Sequence, residues 1–265
     1  MSRVYQIHID TSQTNTATAQ TNISTSATSM VTPARVYYPQ ITKQANNPFN
    51  CTVVLGQTHR NLRYIRLKCA EVPVAFFNIR APYNSVIING TTYTISPNNY
   101  TISTLVTALN TATTGVGTFA AQTSTSTTTY TPTSGSATLT TFTSASPFLP
   151  NLLYFLGFTN GQNGTSITST NSYLINFDTY INVYIPSLRT ASLDPAPITF
   201  KIPVSVASGN VMYYNENSQF TQEIQIFDKS VRFDRLEIQV RDRFGQIIDN
   251  RGIDWSFTLE MESDT

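Results

Sequence analysis

Charge is scarce in this chain. Asp, Glu, Lys and Arg make up 12% of 265 residues, about half the usual share. Histidine is scarcer still, with only His8 and His59, so Ser-His-Asp, Cys-His and two-His metal arrangements have few candidates. His59, within Gln57-Thr-His-Arg-Asn61, is expected to be a solvated loop residue. No Gly-x-Ser-x-Gly elbow and no Gly-x-x-x-x-Gly-Lys-Ser/Thr phosphate loop occurs. Gly115-Val-Gly117 lacks the following helix that a phosphate cradle needs. No apolar run approaches the roughly 18 residues of a membrane span. No Arg/Lys-flanked apolar segment opens the chain, so a non-secreted protein is expected. The two cysteines, Cys51 and Cys69, lie in strand-like runs and are expected to be buried free thiols. Asn-x-Ser/Thr sequons begin at Asn22, Asn50, Asn89, Asn99 and Asn163; in so Thr-rich a chain they are expected to be unmodified.

What replaces charge is Thr, Ser and Asn, together with 14 Tyr and 15 Phe. That composition favours strands and turns over helix interiors. The net charge of +1 gives no general argument for nucleic acid or membrane binding. Its distribution is uneven: residues 1–80 carry eight Lys/Arg against two Asp/Glu, net +6, and residues 178–265 carry eight against thirteen, net −5. Between Arg80 and Asp178 there is no charged residue at all. This gap predicts three parts: a flexible N-terminal arm over 1–48, a β domain over 49–82 plus 178–265, and an uncharged insertion over 83–177.

The arm is expected from residues 11–34, which have no charge and almost no large apolar side chain. Val4–Ile9 ahead of them reads as a short strand that the arm carries to a docking site. Ordered structure is expected to begin near Phe49. Strands are predicted at 50–56 and 64–72, with Ile65, Leu67 and Cys69 on the buried face, and at 180–185, 199–206, 220–227, 235–241 and 253–261. In the last, Ile253, Trp255, Phe257, Leu259 and Met261 alternate with Asp254, Ser256, Thr258, Glu260 and Glu262, so the acidic residues are placed on the wet face. Asp242, Asp249 and Asp254 match no calcium loop, and with Arg241, Arg243 and Arg251 interleaved they suit ion pairing in loops or across a subunit boundary. The basic run Arg60, Arg63, Arg66 and Lys68 is read as an outward strand face meeting an acidic neighbour in the fold or on the next subunit. Nucleic acid is not expected as a partner. Candidate subunit-contact charges are therefore Arg63, Arg66, Lys68, Arg241, Asp242, Arg243, Asp249 and Arg251.

The uncharged block has its own local signals. Asn89-Gly90 between apolar runs predicts a hairpin. Ile102, Leu105, Val106 and Leu109, at i, i+3, i+4 and i+7, predict a short amphipathic helix ended near Gly115. Residues 123–146 hold 17 Ser/Thr in 24 positions and fit either a Thr-rich hairpin or disorder. Residues 147–158 read as a short buried helix stopped at Gly157.

Three stretches taken together carry a resemblance: "RLKCAEVPVAFFNI", then "INGTTYTISPNNYTISTLVTALN" with "LLYFLGF", then the closing "LEIQVRDRFGQIIDNRGIDWSFTLEM". Over roughly residues 49–261 the chain resembles the penton (minor capsid) proteins of virophages, Polinton-like elements and related large double-stranded DNA viruses. The resemblance implies a mainly β fold, a single jelly-roll β-sandwich with a small α+β insertion domain. It implies a structural virion protein, not an enzyme, forming a homopentamer beside the major capsid protein at the five-fold vertex. The expected location is the virion, assembled in the host cytoplasm. No catalytic residue, cofactor, metal or small-molecule substrate is implied. The tract at 123–146 matches no motif of the family. The alternative reading is a viral attachment or fibre-like glycan-binding β module, and symmetry separates the two.

Overall fold

The computed structural model describes residues 3–12, 40–142, 149–189, 197–215, 223–225 and 232–264. Its elements run β1 (Arg3–Asp10), β2 (Gln40–Gln44), β3 (Asn47–Pro73), β4 (Ser85–Ile88), β5 (Thr91–Thr94), α1 (Ile102–Ala112), β6 (Gly117–Gln122), β7 (Thr127–Pro132), β8 (Ala137–Thr140) and α2 (Leu152–Phe155). There follow β9 (Asn163–Gly164), β10 (Ile167–Thr168), β11 (Tyr180–Arg189), β12 (Pro197–Pro203), β13 (Val211–Asn215), β14 (Glu223–Gln225), β15 (Arg232–Arg241) and β16 (Ser256–Asp264). The protein is mainly β, and it divides into two compact units, residues 1–76 with 179–265, and residues 77–178.

Unit 1 is a curled antiparallel sheet organised by β3, whose 27 residues pair with five other strands. Its first part, 50–54, lies between β2 and β15. Its second part is paired on one side with β16 along 60–71 and on the other with β14 and β13. Between the two, Arg235 pairs with Val54 but Phe233 pairs with His59, so the four residues Leu55 to Thr58 of β3 stand against Asp234 alone, three more than the register needs. Such an insertion bends and twists a strand, and here it lets one strand serve both halves of the sheet. The side chains of both halves meet in one apolar cluster containing Ile7, Ile9, Phe49, Val53, Ile65, Leu67, Val183, Phe200, Leu236, Trp255 and Leu259. All but Trp255, which immediately precedes β16, come from strands, and their burial removes apolar area from water at about 25 cal/mol per Å².

Structure begins well ahead of Phe49, the expected start. β1 pairs along its whole length with β16, from Arg3 opposite Ser263 to Asp10 opposite Ser256. Val4–Ile9 is therefore a strand, and its docking site is the chain's own closing strand. Thr11, expected to open the flexible arm, is fully buried and exchanges hydrogen bonds with the Trp255 backbone N–H and carbonyl. Residues 13–34 of that arm lie outside the described residues, as do parts of the predicted strand at 220–227, of which 223–225 is strand.

Unit 2 contains the four-stranded sheet β5-β4-β8-β9, the three-stranded sheet β10-β7-β6 and both helices. The Asn89-Gly90 turn joins β4 to β5, with φ of 51° and 78°, the left-handed pair that a two-residue hairpin requires. α1 buries Leu105 and Leu109, and Thr101 with Thr104 forms a capping box from hydroxyls alone. The described part of the Thr-rich tract contributes two strands: β7 pairs β6, and β8 pairs β4. Gly117 is required in this hairpin, because a Cβ there would sit 2.3 Å from the Tyr130 hydroxyl. α2 follows an Asn151 cap and precedes Gly157, φ 88°. Its Phe155 stacks on Phe177 at 4.0 Å, with Tyr83 edge-on to both.

Candidate interaction surface

The predicted contact charges fall on two parts of unit 1. Arg63, Arg66 and Lys68 stand on β3 opposite the acidic side of β16. Arg63 pairs with Glu262 at 3.0 Å. Arg66 donates from Nε to Glu260 Oε1 at 2.8 Å, and Lys68 lies 3.8 Å from the other carboxylate oxygen. Glu260 also accepts from Gln6 of β1 and from the Tyr64 hydroxyl, each at 3.1 Å. One carboxylate thus joins three strands. Burial pushes the Glu260 carboxyl up, but hydrogen bonds from Gln6, Arg66 and Tyr64 and the Arg66 charge outweigh it and hold the group below its usual value. Burial and the Glu260 charge push the Tyr64 phenol up to about 12.

This corrects the placement of Glu260 on a wet face: it is 5% exposed. It also shows why Cys69 is not buried as expected. Thr258 pairs with Cys69 and Leu259 with Leu67, so Lys68 is an extra residue on β3. The bulge reverses the alternation, turning Cys69 outward and Ala70 into the core. Cys51, before the bulge, is a buried thiol pushed up to about 12 by burial despite the nearby Lys43 charge. Ile253, predicted to face the core, is exposed, because it lies in the turn before β16 starts.

Of the other five charges, Arg241 ends β15 and Asp242, Arg243, Asp249 and Arg251 lie in the segment between β15 and β16. Arg241 lies over the Tyr184 ring at 4.2 Å and donates from Nε to Gln239 Oε1 at 3.0 Å. Asp242 is buried, and its Oδ1 accepts from the Phe244 and Gln246 amides at 2.9 Å, so it shapes a turn. Arg243 reaches over Phe244 at 5.4 Å, and Asp249 accepts the Arg251 amide at 2.8 Å. Asp254 is engaged by Lys43 at 2.5 Å and by Thr11 at 2.9 Å. The three aspartates, Asp242, Asp249 and Asp254, are thus separately occupied. Among the described residues no group of three His, Cys, Asp or Glu could hold a metal ion.

His59 departs furthest from expectation. It lies inside β3, 2% exposed, stacked on Phe233 at 5.4 Å with Tyr5 edge-on at 4.8 Å. The Gln57 amide NH2, 3.3 Å away, can only donate, so His59 Nε2 accepts and Nδ1 carries its proton toward Ser263 Oγ at 2.8 Å. Burial pulls the imidazole down to about 4. The sequence offered one signal for this: His59 stands between strand-like runs with no Pro or Gly immediately beside it.

Sequence reasoning also missed a pair in unit 2. Arg80 and Asp178, the charges bounding the uncharged run, form a two-pronged bridge at 2.5 and 3.1 Å. Both are buried, and the guanidinium also donates to the Phe77 carbonyl and lies over Phe177 and Tyr83.

The fold thus defines a mainly β, antiparallel protein whose placed charges bind strand to strand or order turns. No protein-family model matches the sequence, and no curated protein matches it. Among solved structures it is similar to the crystal structure of the SeMet-labelled mavirus penton protein, at 9% identity and a TM-score of 0.43, over 86% of this chain and 99% of that one. No helix among the described residues is long and apolar enough to cross a membrane.

Proposed function

We propose that the protein is a structural virion protein: a single jelly-roll penton subunit that assembles as a homopentamer at the five-fold vertices of an icosahedral capsid. Its partners are then further copies of itself and the major capsid protein, and its place is the virion, after assembly in the host cytoplasm. The carrying observation is the organisation of unit 1. An antiparallel sheet curls round one core, and a separate unit leaves it after β3 and returns before β11. A curled antiparallel sheet with such an excursion supports the single jelly roll with an inserted domain that the resemblance of the three sequence stretches implies. The charge networks support a structural rather than catalytic role, since Glu260, Asp242 and Asp254 each hold backbone or neighbouring strands in place.

A ring repeats each contact five times, so weak polar contacts suffice once the ring closes. Sedimentation at high protein concentration is expected to show a species five times the 29.4 kDa monomer. Particle reconstruction is expected to place the chain at five-fold vertices. A stable trimer, or absence from those vertices, overturns the reading.

A further inference from the structure

We propose that unit 2 carries a binding site for a neutral glycan, with the ring of Tyr154 as its stacking platform. This inference does not rest on the capsid reading. Residues 81–177 contain no charged side chain, and the flanking Arg80 and Asp178 are buried against each other. The unit therefore presents a surface of hydroxyl, amide and apolar groups. Folded units ordinarily keep themselves soluble with exposed charge, so an envelope without any is informative about its ligands. Nucleic acid, sulfated or sialylated glycans and acidic lipids draw their affinity from cations, and this surface has none to offer. A neutral sugar needs none. Its C–H face packs on an aromatic ring, and its hydroxyls exchange hydrogen bonds with hydroxyls and amides.

The apolar part of such a site is present in one place. Tyr154 and Leu174, 47% and 50% exposed, are the large hydrophobic side chains that unit 2 leaves to solvent among its described residues. The Leu174 amide donates to the Phe155 carbonyl at 2.8 Å, so the segment of Leu174 runs against the helix that carries Tyr154. Phe142 backs Tyr154 with ring centres 5.8 Å apart. Along the segment of Leu174, exposure alternates so that Ser172 and Asn176 are also open; Asn176 Oδ1 accepts from Asn78 at 2.9 Å, so the site offers the Ser172 hydroxyl on one side and the Asn176 NH2 on the other. Two exposed apolar residues make a patch far smaller than a stable protein interface, but their scale suits one or two sugar rings.

The test uses the full chain against immobilised neutral oligosaccharides ending in glucose, galactose, mannose or N-acetylglucosamine, with sialylated and sulfated glycans beside them. Saturable binding to a neutral probe is expected, unchanged between low and molar sodium chloride. Tyr154→Ala is expected to weaken it about tenfold, the size of one aromatic contact. Tyr154→Phe should keep most of it, and Tyr213→Ala in unit 1 should change nothing. Leu174→Asp, which leaves the ring in place, should also weaken binding. Circular dichroism confirms that each variant is folded. Failure to bind any neutral probe overturns the proposal. So does binding confined to the sialylated or sulfated glycans, loss of self-association rather than of glycan binding in Tyr154→Ala, or equal binding by the folded Tyr154→Ala and Leu174→Asp variants.

Discussion

Protonating His59 puts a positive charge into a buried site whose neighbours are a donor amide, two aromatic rings and a serine. The fold favours the neutral ring, with a value of about 4 against 6.5 for the free side chain. A group lowered in this way contributes stability that is complete above pH 6.5 and declines as pH falls toward 4, by about 3 kcal/mol. Glu260 acts in the same direction at lower pH: its carboxylate is favoured by the fold, so its contribution is lost as acid protonates it. Urea midpoints measured from pH 7 down to pH 4 should therefore fall, and in His59→Asn the slope between 6.5 and 4 should flatten. Parallel decline in both proteins would assign the acid sensitivity elsewhere. Trp255 is the second single-residue case. It stacks on Phe257 at 4.3 Å, meets Phe49 edge-on and donates from Nε1 to the Pro48 carbonyl at 2.9 Å. Trp255→Ala should cost about 3–5 kcal/mol, and the wild-type emission maximum should lie at the blue end expected for a dry indole. Emission typical of full exposure to water would contradict this placement.

Among the elements, β3 and the Arg80–Asp178 bridge of unit 2 show where local pattern stops being sufficient. β3 keeps odd-numbered residues inside on both sides of its first irregularity, at Val53 and His59, whereas the bulge at Lys68 exchanges the inner and outer faces. Cys69 and Ala70 trade places for that reason alone. Nothing within a few residues of Lys68 announces the extra residue, since it exists only relative to the register of β16, almost 200 positions away. Arg80 and Asp178 are 98 positions apart, yet their pairing joins the beginning of unit 2 to its end. Breaking a buried bridge from one side leaves an uncompensated charge and costs about 3–5 kcal/mol. Arg80→Met and Asp178→Leu should each lower the unfolding midpoint by that order, and the double variant should recover part of the loss. Additive losses in this double-mutant cycle would mean that the two groups do not act as a pair. The hairpin at Asn89-Gly90 and the helix over 102–112 needed no such distant partner, and both were legible in full from their own residues.

For the whole molecule, the charge gap led to the division into two units, and the division has a direct consequence. Unit 2 buries its own aromatics, Tyr83, Phe119, Tyr130, Phe155 and Phe177, while the apolar cluster of unit 1 draws only on residues up to 76 and beyond 179. Replacing residues 77–178 by a short Gly/Ser bridge should therefore leave a folded protein with the sheet spectrum of unit 1 in circular dichroism. A soluble but unfolded product would mean that unit 1 depends on the excised residues. By itself, the sequence determined what depends on residues a few positions apart: the strand character of both flanks, the turn chemistry at Asn89-Gly90, the amphipathic helix and the absence of charge from the middle. Only the tertiary structure decided that β1 covers β16, that Glu260 and His59 are buried, and that the candidate contact charges of β3 find partners within their own chain. The physical reason is that a side chain's period is set by its own backbone. Its burial is set by which strand lies opposite and in what register, and those pairings close loops as long as that from Arg3 to Ser263.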